Sequence, residues 1–308
     1  MQKEYTYIAQ NENTINEKYL IWHIQGGLGK NIAATGLISS VKQTYSDRKL
    51  IMVVSYPEVF INHPDIYRVY NIGHSPYFYQ NYIENKDVLI FRHEPYHQTG
   101  HITMKKHLIE NWCDLLDIPY TKQKPTIYVN YAQRISTDMW KRNKPILVLQ
   151  TCGGPFGENK HPYAWTRDMP IELANMIVEK LKKEYHIMHV TRKGGYELEG
   201  VERIDYQMNN MELFSLLVAS DRRILIDSCL QHAAAAFGLP SIVFWIGTSP
   251  VVFGYDIHTN IKAKLPKRAN QMIGSYLFDF QFDNNQHECP YLHINDMFDI
   301  NEIDKQLN

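Results

Sequence analysis

The sequence predicts an α/β chain built from two doubly wound halves, and three stretches carry that prediction. In the first, Tyr19-Leu-Ile-Trp-His-Ile24 is a short apolar run of the buried-strand kind. It is followed by the turn Gln25-Gly26-Gly27-Leu28-Gly29-Lys30 and a helical segment over 32–45. In the second, Lys144-Pro-Ile-Leu-Val-Leu-Gln150 runs into Thr151-Cys152-Gly153-Gly154, again a strand before a glycine turn. In the third, Arg223-Ile-Leu-Ile226 reads as a strand, Asp227-Ser228 as N-cap side chains, and the alanine-rich stretch after them as a helix. Gly238 suits the position just past that helix, Pro240 prevents its continuation, and Ser241 to Ile246 resumes a β-rich pattern. Strand, glycine turn and helix open a Rossmann-like unit. Two such openings in 308 residues predict two domains, 1–143 and 144–308.

Composition bounds the class. Apolar residues make up 44% and charged residues 21%, the balance of a globular protein with a large core. A formal net charge of −1 argues against a strongly basic nucleic-acid binder while leaving room for a local basic patch. Cys113, Cys152, Cys229 and Cys289 are widely spaced with no C-x-x-C pair, which fits reduced thiols and a cytoplasmic setting. No apolar run approaches the ~18 residues of a membrane span, and the first residues lack a signal-peptide pattern. No integral membrane segment is expected.

The remaining elements follow from apolar runs and turn residues. Lys49–Val54 is a strand, 57–64 a short helix and turn, and Asp65–Tyr70 another strand-like run. Asp87–Phe91 is a strand that delivers Arg92-His93-Glu94-Pro95-Tyr96-His97 into a loop. An amphipathic helix is expected within 102–117, with Leu108, Trp112, Leu115 and Leu116 on its apolar side. The polar stretch 125–143 reads as the interdomain connection. Thr166-Arg-Asp168 is expected to cap a helix from Met169 to Lys183, before the strand Tyr185–Val190. Asn209-Asn210 begins the helix Met211–Ser220, and a last helix is expected near 296–307.

A helix beginning at the carboxyl end of a parallel strand points unpaired N–H groups and a positive dipole end at whatever lies above the sheet. An anion such as a diphosphate suits that place. One charge at a helix end gains roughly 0.3–1 kcal/mol, so Ser228, His232 and more distant basic residues must assist. The first glycine turn fits neither common nucleotide fingerprint. The dinucleotide pattern needs glycine at Ile32, and the phosphate loop needs glycine at Ile24 and a hydroxyl residue at Asn31. His93-Glu94-Pro95-Tyr96-His97 matches the zinc-protease string letter for letter. That chemistry needs a helix, however, and Pro95 inside one costs about 3 kcal/mol. No metal site is expected; the polar, titratable loop at a strand end suits an acceptor site instead.

The stretch Asp227-Ser-x-x-Gln231-His232-x-Ala-Ala-Ala-x-Gly238-x-Pro240 resembles the donor-binding signature of the heptosyltransferase-like glycosyltransferases, glycosyltransferase family 9. Cys229 stands where that family usually has glycine. The resemblance implies a GT-B fold, two Rossmann-like domains facing each other across a cleft. Residues 1–143 would face the acceptor and 144–308 would hold the nucleotide-sugar, with the last helix free to pack back on the first domain. It also implies a donor set of Gly153, Gly154, Lys160, Arg192, Glu197, Asp227, Ser228, Cys229 and His232. Lys160 would neutralise donor phosphate, and Glu197 is the nearest equivalent of a ribose-binding glutamate. Gly27, Gly29, Lys30 and Arg92 would lie on the acceptor side. The family often carries an aspartate base where Lys30 stands, so the expected base is Glu94, with His93 second.

The implied activity is transfer of a sugar from a nucleoside-diphosphate sugar to a hydroxyl. Inversion and metal independence are expected, the latter in keeping with the lack of a D-x-D sequence, and no cofactor beyond the donor substrate. The expected acceptor is a bacterial surface saccharide or glycolipid. The chain is also similar to bacteriophage transferases, some of which glycosylate hydroxymethylated DNA bases, and this is the alternative. A nucleotide-sugar 2-epimerase and a non-catalytic sugar-nucleotide binder remain as further readings. Oligomeric state is not legible.

Overall fold

The computed structural model describes residues 6–8, 17–73, 75–129, 137–153, 165–204, 208–264 and 291–308. Contacts divide the chain into two units, Met1–Gln98 with Leu108–Asn130, and Thr99–His107 with Tyr131–Asn308.

The first unit is a five-stranded sheet among the described residues. Its strands are β1 (Thr6–Ile8), β2 (Lys18–Ile24), β3 (Lys49–Val54), β4 (Arg68–Asn71) and β5 (Asp87–Phe91), in the order β1-β5-β2-β3-β4. β2 pairs in parallel with β3 on one side and β5 on the other, which is why Tyr19 to Trp22 are all buried. β1 is antiparallel to β5. One face of the sheet carries Tyr19, Ile21, Ile51 and Val88, packed with Tyr82 of the short helix Phe78–Tyr82. Trp22 meets Trp112 of helix Leu108–Leu116 edge-on, with ring centroids 6.0 Å apart.

One helix here differs from the sequence expectation, and the amphipathic helix falls within its expected range. The segment expected over 32–45 is two helices, Leu28–Thr35 and Ile38–Thr44. Gly36 separates them because a crossing strand of chain runs close by: a Cβ there would lie 2.8 Å from the Lys124 carbonyl oxygen. The crossing is tied by Thr126 N–H donating to Thr35 Oγ1 at 2.9 Å. The amphipathic helix spans Leu108–Leu116, with a separate short helix at Thr99–Ile102. Met104 lies between them with φ +56, which no continuous helix tolerates.

The second unit is a six-stranded, all-parallel sheet among the described residues. It comprises β6 (Ile146–Gln150), β7 (His186–Val190), β8 (Glu202–Arg203), β9 (Arg222–Ile226), β10 (Ile242–Trp245) and β11 (Thr259–Lys262). Their order is β11-β10-β9-β6-β7-β8. Its core runs from Leu147 and Leu149 through Leu173, Ile177, Ile224 and Phe244 to Phe298 and Ile303 of the last segment. Helix Asn210–Ala219 starts with a full capping box, Asn209 Oδ1 accepting from Glu212 N–H and the Glu212 carboxylate accepting from Asn209 N–H. The last helix, Ile300–Leu307, is preceded by the short helix Ile294–Met297. Among the described residues no helix is long and apolar enough to cross a membrane.

Helix Cys229–Ala236 ends as the sequence predicts. Leu239 N–H donates to the Ala234 carbonyl and Gly238 N–H to that of Ala235, the paired bonds of a Schellman stop, with Gly238 at φ +69. Gly238→Ala therefore forces a Cβ into the left-handed region. The expected loss is about 1 kcal/mol of stability, read as a lower urea midpoint at unchanged slope.

Candidate functional site

In each sheet the chain order reverses once, and the loops after the two strands flanking the reversal open a crevice. In the second unit the chain builds β6, β7 and β8 outward and then returns to lay β9 on the other side of β6. The loops at that place are Thr151–Gly153, which carries Gly153 of the expected donor set, and Asp227–Cys229, all three of whose residues belong to it. They touch: a Cβ on Gly153 would lie 3.4 Å from Ser228 Oγ, so a larger residue would crowd the helix start.

The Gly153 turn is held by a buried ion pair. Arg192 Nη2 donates to Asp168 Oδ2 at 2.5 Å and Nη1 to the Gly153 carbonyl at 2.7 Å. Gly153 N–H donates to Asp168 Oδ1 at 3.2 Å. Both charged side chains are almost fully buried, at 3% and 1% exposure. Asp168 is therefore not the helix cap that its sequence position suggests. The following helix is Ile171–Leu181, with Pro170 at its N-cap and no side-chain cap bond. Arg192 spends its charge on Asp168 and its donors on the turn. Beside them Thr151 Oγ1 and His189 Nε2 share a 2.7 Å hydrogen bond.

Helix Cys229–Ala236 begins at Ser228, which sits at the N-cap without the expected side-chain cap bond. Asp227 is buried, and Arg167 Nε lies 3.9 Å from its Oδ2. Arg167 is about one-third exposed and is a cation that the sequence reading passed over as part of a helix cap. It is carried by the loop whose Thr166 carbonyl accepts from Gly247 N–H at 2.7 Å. Burial pushes the Cys229 thiol up, so the residue in the usual glycine position is a neutral thiol.

His232 is neutral as well. Burial, reinforced by His107, His258 and Arg167, pushes its pKa down to about 3, and its Nδ1 shares a 2.8 Å hydrogen bond with Tyr255 Oη. It can place a dipole near an anion but no charge. Glu197 is exposed and paired with Arg203 at 2.9 Å. Gly154 and Lys160 lie outside the described residues. A hollow of about 640 Å³ lies elsewhere in the unit, between Pro170, Ile171, Tyr196, Tyr291 and Ile294. None of the expected donor residues lines it, and Glu172 puts a carboxylate there, which disfavours a diphosphate.

In the first unit the reversal falls between β2 and β5. Gln25 to Lys30 follow one strand and Arg92 to Tyr96 the other, so Lys30, expected on the acceptor side, meets Glu94, the expected base. Lys30, only 5% exposed, places its Nζ 2.5 Å from Glu94 Oε2 and 4.9 Å from the centroid of the Tyr96 ring. Glu94 Oε1 accepts from Tyr96 N–H at 3.3 Å and so caps the turn Pro95–His97, which is a 3₁₀ helix rather than the α-helix that the zinc string would need. His93 stacks at a tilt on Phe91. Asn31 donates to the Gly27 carbonyl at 3.0 Å. His23, near the end of β2, was also missed from sequence. Its pKa lies below the ordinary imidazole value through burial, Arg92 and Lys30. Arg92 is exposed; Gly27 has open space around it.

No family model and no curated protein matches the sequence. Solved structures match in fold. A glycosyltransferase of family 9 from Veillonella parvula aligns at a TM-score of 0.58 and 11% identity, over 81% of this chain and 86% of its own. The fold is that of the heptosyltransferases. The ADP-heptose LPS heptosyltransferase II of E. coli gives 0.58 at 9% identity, covering 83% of this chain and 92% of its own. E. coli heptosyltransferase WaaC with ADP gives 0.52 at 14%, covering 80% and 93%. At such identities the heptosyltransferase likeness is one of architecture, two Rossmann-like units of GT-B type.

Two outcomes follow from this geometry. Asp168→Asn leaves Arg192 buried without its counter-charge, and a loss of about 3–5 kcal/mol is expected in denaturant unfolding. The second concerns acid. His101, His107 and His189 are held down to about 4 by burial, and His232 to about 3. Unfolding raises each toward 6.5, so the unfolded chain binds more protons below that pH. The stability these residues contribute is fully present above pH 6.5, is lost progressively as pH falls from about 6.5 to the folded values near 4 and 3, and changes no further below them; the melting temperature should drop across that window.

Proposed function

We propose that this chain transfers a sugar from a nucleoside-diphosphate sugar to an acceptor hydroxyl, with inversion and without an obligatory metal. The observation that carries the reading is the meeting of Gly153, Ser228 and the start of helix Cys229–Ala236 at the second sheet's reversal. A leaving diphosphate seated there would face the helix-start N–H groups and the Ser228 hydroxyl. Arg167 and Lys160 would supply the positive charge that Arg192 and His232, by their pairing and burial, do not. Glu197 would meet the ribose. In this reading residues 1–143 serve the acceptor and 144–308 the donor.

The reaction needs one proton removed from the acceptor hydroxyl as its oxygen bonds to the anomeric carbon. The bond from that carbon to the diphosphate breaks at the same time, its electrons leaving on phosphate. Glu94, with His93 as the second choice, is the base of this proposal, and Arg92 and the Gly27–Lys30 turn line the acceptor side. The donor is a substrate and no further cofactor is invoked. The free thiols of Cys113, Cys152 and Cys229 fit a reducing compartment, and a cytoplasmic location belongs to the proposal.

The names of the similar structures carry ADP-heptose and ADP, so an ADP-sugar leads the donor panel. The proposed acceptor is a bacterial surface saccharide or glycolipid. Hydroxymethylated DNA forms the second arm of the assay, and donor incubated alone reports epimerisation. Thermal shift with ADP-, UDP-, GDP- and CMP-sugars should raise the melting temperature for one base; no shift with any of them would end the transferase reading. Lys160→Ala is expected to weaken donor binding about tenfold or more by calorimetry. Unchanged affinity would remove Lys160 from the site.

A further inference from the structure

Lys30 is a charged side chain with almost no contact with solvent, and among the described residues its ammonium pairs with the Glu94 carboxylate. Burying an ammonium is costly, and a buried ion pair commonly gains little stability over apolar residues of the same volume. The surrounding geometry nevertheless serves this one contact. Gly26 has φ +113 and a Cβ there would lie 3.2 Å from Lys30 Cδ, so the backbone of the turn yields to the lysine stem. The Tyr96 ring covers the ammonium, and the Tyr96 N–H holds the other oxygen of the same carboxylate.

The result is a carboxylate fixed at both oxygens. Lys30 takes Oε2 and Tyr96 N–H takes Oε1, which stops rotation of the group while leaving each oxygen a further lone pair. The Glu94 side chain is 35% exposed whereas that of Lys30 is 4% exposed. Of the two side chains, that of Glu94 is the one open to an incoming molecule. It stands at the reversal between β2 and β5, the place in a parallel sheet where bound molecules sit.

We propose that Lys30 is a positioning residue that holds the Glu94 carboxylate in place to accept the proton of the incoming hydroxyl. The inference rests on the transferase reading above. Lys30 takes no proton from the acceptor; it acts through Glu94. The hydroxyl proton passes to a Glu94 oxygen, the hydroxyl oxygen's electron pair forms the new glycosidic bond, and the diphosphate departs with the electrons of the old one.

The test uses the full chain and its best donor and acceptor, with Lys30→Met, Glu94→Gln and the double variant. Lys30→Met keeps length and apolar fit, and its melting temperature shows whether it folds. Donor affinity by calorimetry is expected within about twofold of wild type, because the donor residues lie in the other unit. kcat is expected to fall about 100-fold in Lys30→Met with acceptor KM little changed, and the double variant should be no slower than Glu94→Gln alone. A folded Lys30→Met with wild-type kcat overturns the proposal. So does a Lys30→Met penalty of equal size with and without Glu94, since independent roles give additive losses. A wild-type chain that binds no nucleotide sugar overturns the transferase reading and this one together, whereas binding and transfer with Lys30→Met unimpaired overturns this one alone.

Discussion

A parallel strand cannot be reached by a tight hairpin, so each crossover runs over a face of the sheet and each loop above the carboxyl ends is free for other use. When successive crossovers change direction, two such loops part and leave a gap. Both sheets of this chain have that reversal, β2 against β5 and β6 against β9, and in both it gathers glycine turns, a helix start and charged side chains. The identities of Gly153, Ser228, Lys30 and Glu94 matter because of where strand order puts them.

Beside the Gly153 turn one ion pair is neutralised out of solvent. Arg192 and Asp168 neutralise each other out of solvent, and their hydrogen bonds go to the backbone of the Gly153 turn. His232 and Cys229 are neutral through burial. Among the described residues, what this place offers an anion is therefore dipolar, with Arg167 near Asp227 as a nearby cation. Fixed dipoles and a rigid turn need no rearrangement when charge develops, which is how a preorganised site stabilises a departing phosphate. The buried pair shapes the Gly153 turn, its charges meeting each other and its hydrogen bonds going to the backbone.

The first unit makes the opposite use of an ion pair. Lys30 is sealed and Glu94 is half open, so the pair has an inner and an outer end. An exposed pair would be screened and loosely held, whereas here a glycine turn, an aromatic ring and a capping bond constrain both members. The same string His93 to His97 that imitates a metal site in one dimension becomes a 3₁₀ turn because Pro95 cannot sit inside an α-helix.

Local chemistry made much of this legible from sequence. Apolar runs placed β2, β3, β5, β6, β7, β9 and β10 to within two residues, because a strand buried on both faces leaves few other choices. The stop of helix Cys229–Ala236 was legible for the same reason, since Gly238 and Pro240 act on their own backbone. Only the tertiary structure decided which partners the charged groups take. Asp168 sits 24 residues from Arg192, and Lys30 sits 64 from Glu94. No spacing rule reaches that far, so Asp168 read as a cap, and the partners of Arg192 and Lys30 were not foreseen. The neutrality of His232 was equally hidden, because its burial is supplied by residues distant in the chain. Sequence determined the strands and the stops, whose causes lie within a few residues; the fold decided the electrostatics, whose causes do not.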